Sequence, residues 1–181
     1  MAAKSLFAKA LLIGTALALT GCASQNPESR VTRFHLGQPI APGELAVEPR
    51  DPTLSKDLEF QAYARIVQAE FSRLGFGAAP DLTRSELVAV TEVSRSYRPT
   101  GQSSGSISFP IGKQREKMDV LTRLSVQLKR RSDSTVIWEG RAESVARDGS
   151  PNAHPEAAVA RLAQAMFQGF PGRSGEIITV K

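Results

Sequence analysis

Two alternating stretches in the second half of the chain constrain its fold more than any other feature. Val120 to Lys129 alternates apolar with polar residues, and Thr135 to Val145 does the same. This period of two is typical of half-buried strands, and the short polar segment Arg130 to Ser134 predicts the turn of an antiparallel hairpin. We expect Trp138 to lie over Gly140 and the first helix, with an acceptor for its indole N–H. The side chains predicted to face the core are Val120, Leu124, Val126 and Leu128, then Val136, Trp138, Gly140 and Ala142.

Two segments have the spacing of amphipathic helices. The first begins near Ser55, a residue type that caps helices, and Gly75 is placed to end it. The second begins at Pro155 and stops at Gly169. Apolar residues recur in both at intervals of three and four, which predicts one buried stripe on each helix. The stripes consist of Phe60, Tyr63, Val67, Phe71 and Leu74, and of Val159, Leu162, Ala163, Met166 and Phe167.

A further strand is predicted near the start of the domain. Val31 to Leu36 alternates, which places the apolar Phe34 and Leu36 on one face and the polar Arg33 and His35 on the other. In a half-buried strand the apolar face is the one expected to pack on the core.

Three more segments complete the predicted sheet: Leu45 to Pro49, Leu87 to Tyr97 and Glu176 to Val180. Both faces of the first half of Leu87 to Tyr97 are apolar, which predicts a central strand covered on both sides. The simplest packing of this order of elements is an α+β domain. It has a mostly antiparallel sheet of about five to six strands, with two helices packed on one face.

The N-terminal segment has the layout of a bacterial export signal. Met1 to Lys9 carries two lysines and no acidic residue, and Ala10 to Thr20 is apolar or small throughout. Eleven residues of helix span about 16 Å, half of the roughly 30 Å hydrocarbon core of a bilayer. The segment is too short to anchor the protein across a membrane, so we expect it to be an export signal that is cleaved off. An ordinary export signal is cut after an Ala-x-Ala site, and Ala16 to Ala18 offers a weak one.

The residues that follow resemble a lipobox, the processing site of bacterial lipoproteins. They are Leu19, Thr20, Gly21 and Cys22, and Cys22 is the only cysteine of the chain. The resemblance implies cleavage before Cys22 and acyl chains on that residue, so membrane lipid is the first expected partner. Ala23 stands where an inner-membrane retention signal would have aspartate, which implies the periplasmic face of the outer membrane.

These signals divide the chain into three parts. Residues 1–21 are a signal peptide, residues 22–30 are a lipidated N-terminus with a flexible spacer, and residues 31–181 form a single domain. Removal of the first 21 of the 181 residues leaves 160, without the pair of cysteines that a disulfide needs. The net charge falls from +5 to +3 because two lysines leave with the signal. We expect an envelope protein or an anionic lipid or polymer as a further partner, and no nucleic acid.

Five short motifs along the mature chain follow a known pattern: Val31 to His35, Leu74-Gly75-Phe76, Leu128 to Asp133, Val136 to Gly140 and Phe170-Pro171-Gly172. Together they resemble a family of bacterial lipoproteins, the domain of unknown function 4136. The resemblance implies an α+β lipoprotein domain without an established activity. The chain departs from the family pattern between Gln102 and Lys117, where it is less rich in glycine.

A long loop, residues 98–117, contains the one motif that points to catalysis. Gly101 to Gly105 matches the Gly-x-Ser-x-Gly pattern, which presents a nucleophilic serine between a strand and a helix, here Ser103. The residues that follow Ser103 cannot begin such a helix, so a serine hydrolase that uses Ser103 and His154 is the less favoured alternative. A loop of this length is functional or disordered, or it is a hairpin extension of the sheet built on Ile107, Phe109 and Ile111.

Other site chemistry is poorly supplied. His35 and His154 are the only histidines, so we expect no metal site, and we find no pattern for a cofactor. Lys129, Arg130 and Arg131 form a charged hairpin turn that also suits anionic lipid. The sequence therefore predicts a lipid-anchored envelope protein that is not an enzyme and binds a partner or supports the envelope. The alternatives are a tethered hydrolase and an accessory lipoprotein of a transport or assembly complex.

Overall fold

The computed structural model describes residues 26–81, 83–100 and 117–181. These residues form one seven-stranded sheet and two α-helices, in the α+β class that the sequence predicts. The order of strands across the sheet is β3-β2-β4-β5-β6-β1-β7. The elements are β1 (Ser29–His35), β2 (Glu44–Pro49), α1 (Leu58–Arg73), β3 (Gly77–Ala78), β4 (Leu87–Pro99), β5 (Met118–Arg130), β6 (Val136–Arg147), α2 (Pro155–Phe167) and β7 (Ile177–Val180).

The sheet is mixed, with its parallel pairs at one edge. β2 pairs in parallel with β3 and β4, whereas β4–β5, β5–β6, β6–β1 and β1–β7 are antiparallel. Parallel neighbours need a crossover connection, and α1 supplies it between β2 and β4. The two-residue strand β3 adds the seventh strand, one more than the five to six expected.

The predicted central hairpin is confirmed as β5 and β6. On β5, Val120, Leu124, Val126 and Leu128 are all buried, and on β6 Trp138, Gly140 and Ala142 are buried on the same face. Val136, however, is 37% exposed. The register shifts by one residue after Leu128, so that Val136 lies opposite Lys129 on the polar side. This β-bulge explains why Val136 does not join the core.

The first helix begins later than its sequence suggests. Ser55 lies inside a short 3₁₀ turn, Pro52–Lys56, and does not cap α1. The cap is Asp57, whose Oδ1 accepts the backbone N–H of Phe60 at 2.8 Å. Aspartate satisfies a free N–H and complements the positive end of the helix dipole, which favours this start. Gly75, with φ of +91°, follows the end of the helix as predicted.

Both helices pack on the same face of the sheet. α2 buries its whole predicted stripe, whereas α1 buries Tyr63, Val67 and Phe71 and leaves Phe60 and Leu74 half-buried. α1 packs on β2 and β3, and α2 packs on β1, β5 and β6. Most of their buried residues and the inward residues of the strands form one core, and Val120, Ala146 and Ala153 form a second, small cluster. β4 lies inside the sheet, and Leu87, Val88 and Ala89 are buried in succession, which confirms a strand covered on both faces in its first half.

Trp138 is fully buried, and its ring packs on the second helix rather than on the first. The ring stacks on Phe167 of α2, with centroids 5.4 Å apart, and the indole N–H donates to the carbonyl of Pro171 at 3.0 Å. A Cβ atom at Gly140 would lie 2.3 Å from the Trp138 ring, so the glycine makes room for it. The predicted placement over Gly140 is correct and the predicted helix is wrong, because α2 covers β6 directly.

The predicted faces of β1 are reversed. Arg33 is 5% exposed, whereas Phe34 and Leu36 are 45% and 62% exposed. The guanidinium of Arg33 donates from Nε to the carbonyl of Met166 at 2.8 Å and from Nη2 to that of Ala165 at 2.9 Å. Carbonyls in the last turn of a helix lack partners within the helix, and a cation is favoured there. These contacts hold the arginine on the core face.

Candidate functional site

The face of the sheet opposite the helices carries the candidate functional site, which we call the open face. Successive side chains of a strand point to opposite faces of the sheet, so every second residue lies on the open face. The register then aligns them into rows that cross the strands. One row is Arg50, Glu92, Ser125, Arg141, Thr32 and Ile177, and the next is Ser94, Arg123, Glu143, Arg30 and Thr179.

Ion pairs connect the arginines and glutamates of these rows. Glu143 lies between two arginines, with Arg123 Nε at 3.0 Å and Arg30 Nη1 at 3.5 Å from its carboxylate oxygens. Arg50 Nε lies 2.6 Å from Glu92 at the opposite end of the rows. All five side chains are between 34% and 63% exposed, so the network is in contact with water.

The rows line a groove of about 510 Å³. Four arginines face two glutamates in its lining, and the hydroxyls of Thr32, Ser94 and Ser125 add donors and acceptors. The fourth arginine, Arg141, is paired outside the groove lining with Glu139, at 2.5 Å from Nη2. With Glu139 counted, the network holds four arginines and three glutamates, an excess of one positive charge.

The chemistry of this arrangement suits an anionic ligand. Each guanidinium has five N–H donors in a planar fork that fits carboxylate or phosphate, and the internal pairs use only some of them. Exposed ion pairs contribute at most about 1 kcal/mol each, so an incoming anion can replace a glutamate at small cost. The open face can therefore bind acidic groups spaced across several strands.

Those candidate site residues singled out by the sequence that the structure describes do not line this groove. The lipobox residues Leu19, Thr20, Gly21 and Cys22 fall outside the described residues, and so does Ser103. The position of Ser103 relative to His154 is therefore untested, and the hydrolase alternative stays a prediction. His154 is exposed at the start of α2.

The two histidines lie at opposite ends of β6. His35 is opposite Trp138 near the start of β6. Its Nδ1 accepts the N–H of Gly37, and its Nε2 donates to the carbonyl of Gly172, both at 3.1 Å. His154 follows the end of β6. Within residues 26–81, 83–100 and 117–181, no cluster of three or more histidine, cysteine, aspartate or glutamate residues could hold a metal ion.

Two arginines of the charged hairpin turn, Arg130 and Arg131, make contacts within the protein. Arg131 donates from Nη2 to Glu48 of β2 at 2.6 Å and from Nε to the carbonyl of Ser85 at 3.0 Å. Arg130 pairs with Asp133 inside the turn at 3.5 Å. These bonds tie the turn to the neighbouring edge of the sheet, which favours the structural reading over an anionic-lipid site.

Residues from four of the five sequence motifs lie together around the end of α2. The ring of Phe170 lies 5.2 Å from that of Trp138 and 6.1 Å from that of Phe76. Gly172 lies against Arg33, and a Cβ atom there would come within 2.5 Å of the guanidinium. These residues therefore contribute to the packing of α2 on the sheet.

The sequence did not single out Arg30, Arg50, Arg123 or Arg141. The polar positions of each alternating strand indicate which side chains face away from the core. They do not indicate which strands are neighbours in the sheet. Only the register between strands brings these arginines into neighbouring rows.

The comparisons with known proteins give relatives without an established role. No protein-family model matches the chain. An uncharacterised protein from Zymomonas mobilis subsp. mobilis is 29% identical, over 83% of this chain and 79% of that protein. Neither helix in the described part of the chain is long and apolar enough to cross a membrane.

One solved structure shows a likeness of fold at low sequence identity. A PDZ domain protein from Parabacteroides distasonis superposes with a TM-score of 0.51 at 11% identity, over 85% of this chain and 39% of that chain. The chain thus corresponds to about two fifths of that structure's length. A PelC dodecamer from Paraburkholderia phytofirmans gives a TM-score of 0.46 at 13% identity, over 81% of this chain and 99% of that chain.

Proposed function

We propose that this chain is a lipid-anchored lipoprotein of the bacterial envelope and that its domain binds an anionic partner through the open face. The observation that carries the binding role is the arginine-rich groove, which lies on the sheet face that the helices leave uncovered. The tether rests on the lipobox at Leu19 to Cys22 and on the resemblance to the domain of unknown function 4136. The role is one of binding rather than catalysis.

The spacer would hold the open face close to the membrane. Cys22 precedes Ser29, the first residue of β1, by seven residues, which reach about 25 Å when extended. β1 itself contributes Arg30 and Thr32 to the groove. A diacylglyceryl group with a further acyl chain holds a protein on a bilayer essentially permanently. The groove would thus work among the acidic groups of the envelope surface.

The tether predicts a complete loss of acylation in Cys22→Ser. Mass spectrometry of the wild-type protein from the membrane fraction should give an N-terminus at Cys22 with added acyl mass. The variant should lack that mass and leave the outer-membrane fraction, because a thioether cannot form on serine. Cys22→Ala should behave identically. An unacylated wild-type chain cut elsewhere, for example after Ala18, would refute the tether and the localisation.

The open face predicts salt-dependent binding of acidic polymers. The purified full chain should bind a soluble polyuronate, and a neutral dextran of equal length should not compete. Arg123→Glu with Arg141→Glu should weaken this binding about tenfold or more, since each lost charge contact contributes on the order of 1 kcal/mol. Isothermal titration at two salt concentrations measures both effects.

Arg84→Glu with Arg173→Glu provides the matched control. It makes the same change in net charge at side chains that are 86% and 87% exposed and outside the groove. Equal weakening in both double variants would mean that net charge alone attracts the polymer, and it would contradict a site on the open face.

A further inference from the structure

A second groove lies at the opposite edge of the sheet from β7, between α1 and the outer side of β2. We call it the edge groove. Its volume is about 620 Å³, and it is lined mainly by apolar side chains. Leu45 and Val47 form its floor on β2, and alanines keep the facing side of α1 low. It shares no residue with the groove on the open face.

Among the residues that the structure describes, β3 covers the outer side of β2 over only part of its length. β3 pairs with Glu44 and Leu45, and the N–H of Ala79 donates to the carbonyl of Leu45 at 2.9 Å. In a parallel ladder, residues two apart turn their N–H and C=O groups to the same side. The backbone groups of Val47 therefore point to the outer side, beyond the end of β3. A strand edge of this kind is a template for another strand.

The rim of the edge groove is polar and positively charged. Gln61, Arg65 and Gln68 of α1 stand along it. In the part of the chain that the structure describes, no carboxylate lies within 4 Å of the Arg65 guanidinium. Arg65 is exposed, so its charge is available to a ligand that lies in the groove.

We propose that the edge groove binds an extended peptide segment of a partner protein, which adds to the sheet beside β2. The segment carries apolar side chains at alternate positions, which enter the groove, and an aspartate or glutamate that pairs with Arg65. Backbone hydrogen bonds to Val47 give affinity, and the fit of alternate side chains in the groove gives specificity. A hydrocarbon chain would fill the groove but would use neither the strand edge nor the charge on Arg65.

A display library of ten-residue peptides, selected on the immobilised full chain, tests this inference. We expect enriched sequences to alternate apolar residues and to contain an acidic residue at a fixed position. Selection on Arg65→Glu should replace that acid with lysine or arginine, because the rim charge is inverted. Enrichment without alternation, or an acid that persists on Arg65→Glu, would overturn the proposal.

The strand-edge bond has its own matched pair of variants. Val47→Pro removes the outward N–H, whereas Val47→Ala keeps it, and both remove the valine side chain. An enriched peptide should bind Val47→Pro at least tenfold more weakly than Val47→Ala in fluorescence anisotropy. Circular dichroism and thermal unfolding show whether both variants are folded, and Ala69→Trp, which fills the groove from α1, gives a second test if Val47→Pro is not.

Equal affinities of the two Val47 variants would exclude strand addition, and unchanged binding by Ala69→Trp would exclude the groove. A full chain that dimerises through this edge, is separated by Val47→Pro and binds no peptide would instead identify a second copy as the occupant. None of these readouts uses acylation or polyuronate binding, so the result is independent of the proposed function.

Discussion

Replacing Trp138 with alanine should lower the free energy of unfolding by about 3–5 kcal/mol, the usual cost of deleting a large buried aromatic side chain. Trp138 is fully buried, stacks on Phe167 and also contacts Phe170. Its removal leaves a cavity beneath α2 and frees the carbonyl of Pro171. Because Trp138 is the only tryptophan, urea unfolding should be followed by far-ultraviolet circular dichroism.

Trp138→Phe separates packing from hydrogen bonding. It keeps an aromatic ring against Phe167 but cannot donate to Pro171, so a smaller loss of about 1–2 kcal/mol is expected. If Trp138→Ala costs under about 1 kcal/mol, then α2 does not depend on this ring for its position. Both variants should retain polyuronate binding while folded, since Trp138 lies on the core face.

Arg33→Met should cost about 2–4 kcal/mol. Methionine keeps most of the apolar stem but leaves the carbonyls of Ala165 and Met166 without the guanidinium, at about 1–3 kcal/mol for each buried group. Burial also lowers the pKa of Arg33, which means that the charge is itself expensive to bury, and its removal offsets part of the loss. The hydrogen bonds outweigh this desolvation because the helix end has no other donor of comparable reach among the contacts described.

Arg30→Met is the matched control on the same strand. Arg30 is 63% exposed on the open face and pairs with Glu143 at 3.5 Å, so its replacement should change stability by no more than about 1 kcal/mol. Urea unfolding of both variants gives the comparison. Equal losses would mean that the contacts of Arg33 with α2 contribute no more than a surface ion pair.

The contrast between Arg30 and Arg33 also shows which features of the fold the sequence could predict. Both helices, the β5–β6 hairpin and the strand character of β1 follow from local spacing, since hydrophobic period and turn residues act over neighbouring positions. The burial of Arg33 does not follow from it. Hydrophobicity favours Phe34 as the inward residue, and the competing contacts come from carbonyls of α2 more than 130 residues away.

For the candidate site, the sequence predicted only which positions of each strand are polar. Alternation marks Arg123 and Glu143 as polar positions of two strands, and their antiparallel register makes them neighbours. Arg30 joins them because β1 pairs with β6, and Arg50 because β2 pairs in parallel with β4. Pairing between distant strands is decided by how the whole sheet packs, which no single strand encodes.

By itself, the sequence determined both helices, six of the seven strands and the signal that predicts a lipid tether, because each of these depends on residues close together in the chain. The tertiary structure decided the inward face of β1, the parallel edge and the alignment of four arginines on one open face. These features depend on contacts between distant segments, where a helix end can hold a buried cation and a strand edge can stay uncovered.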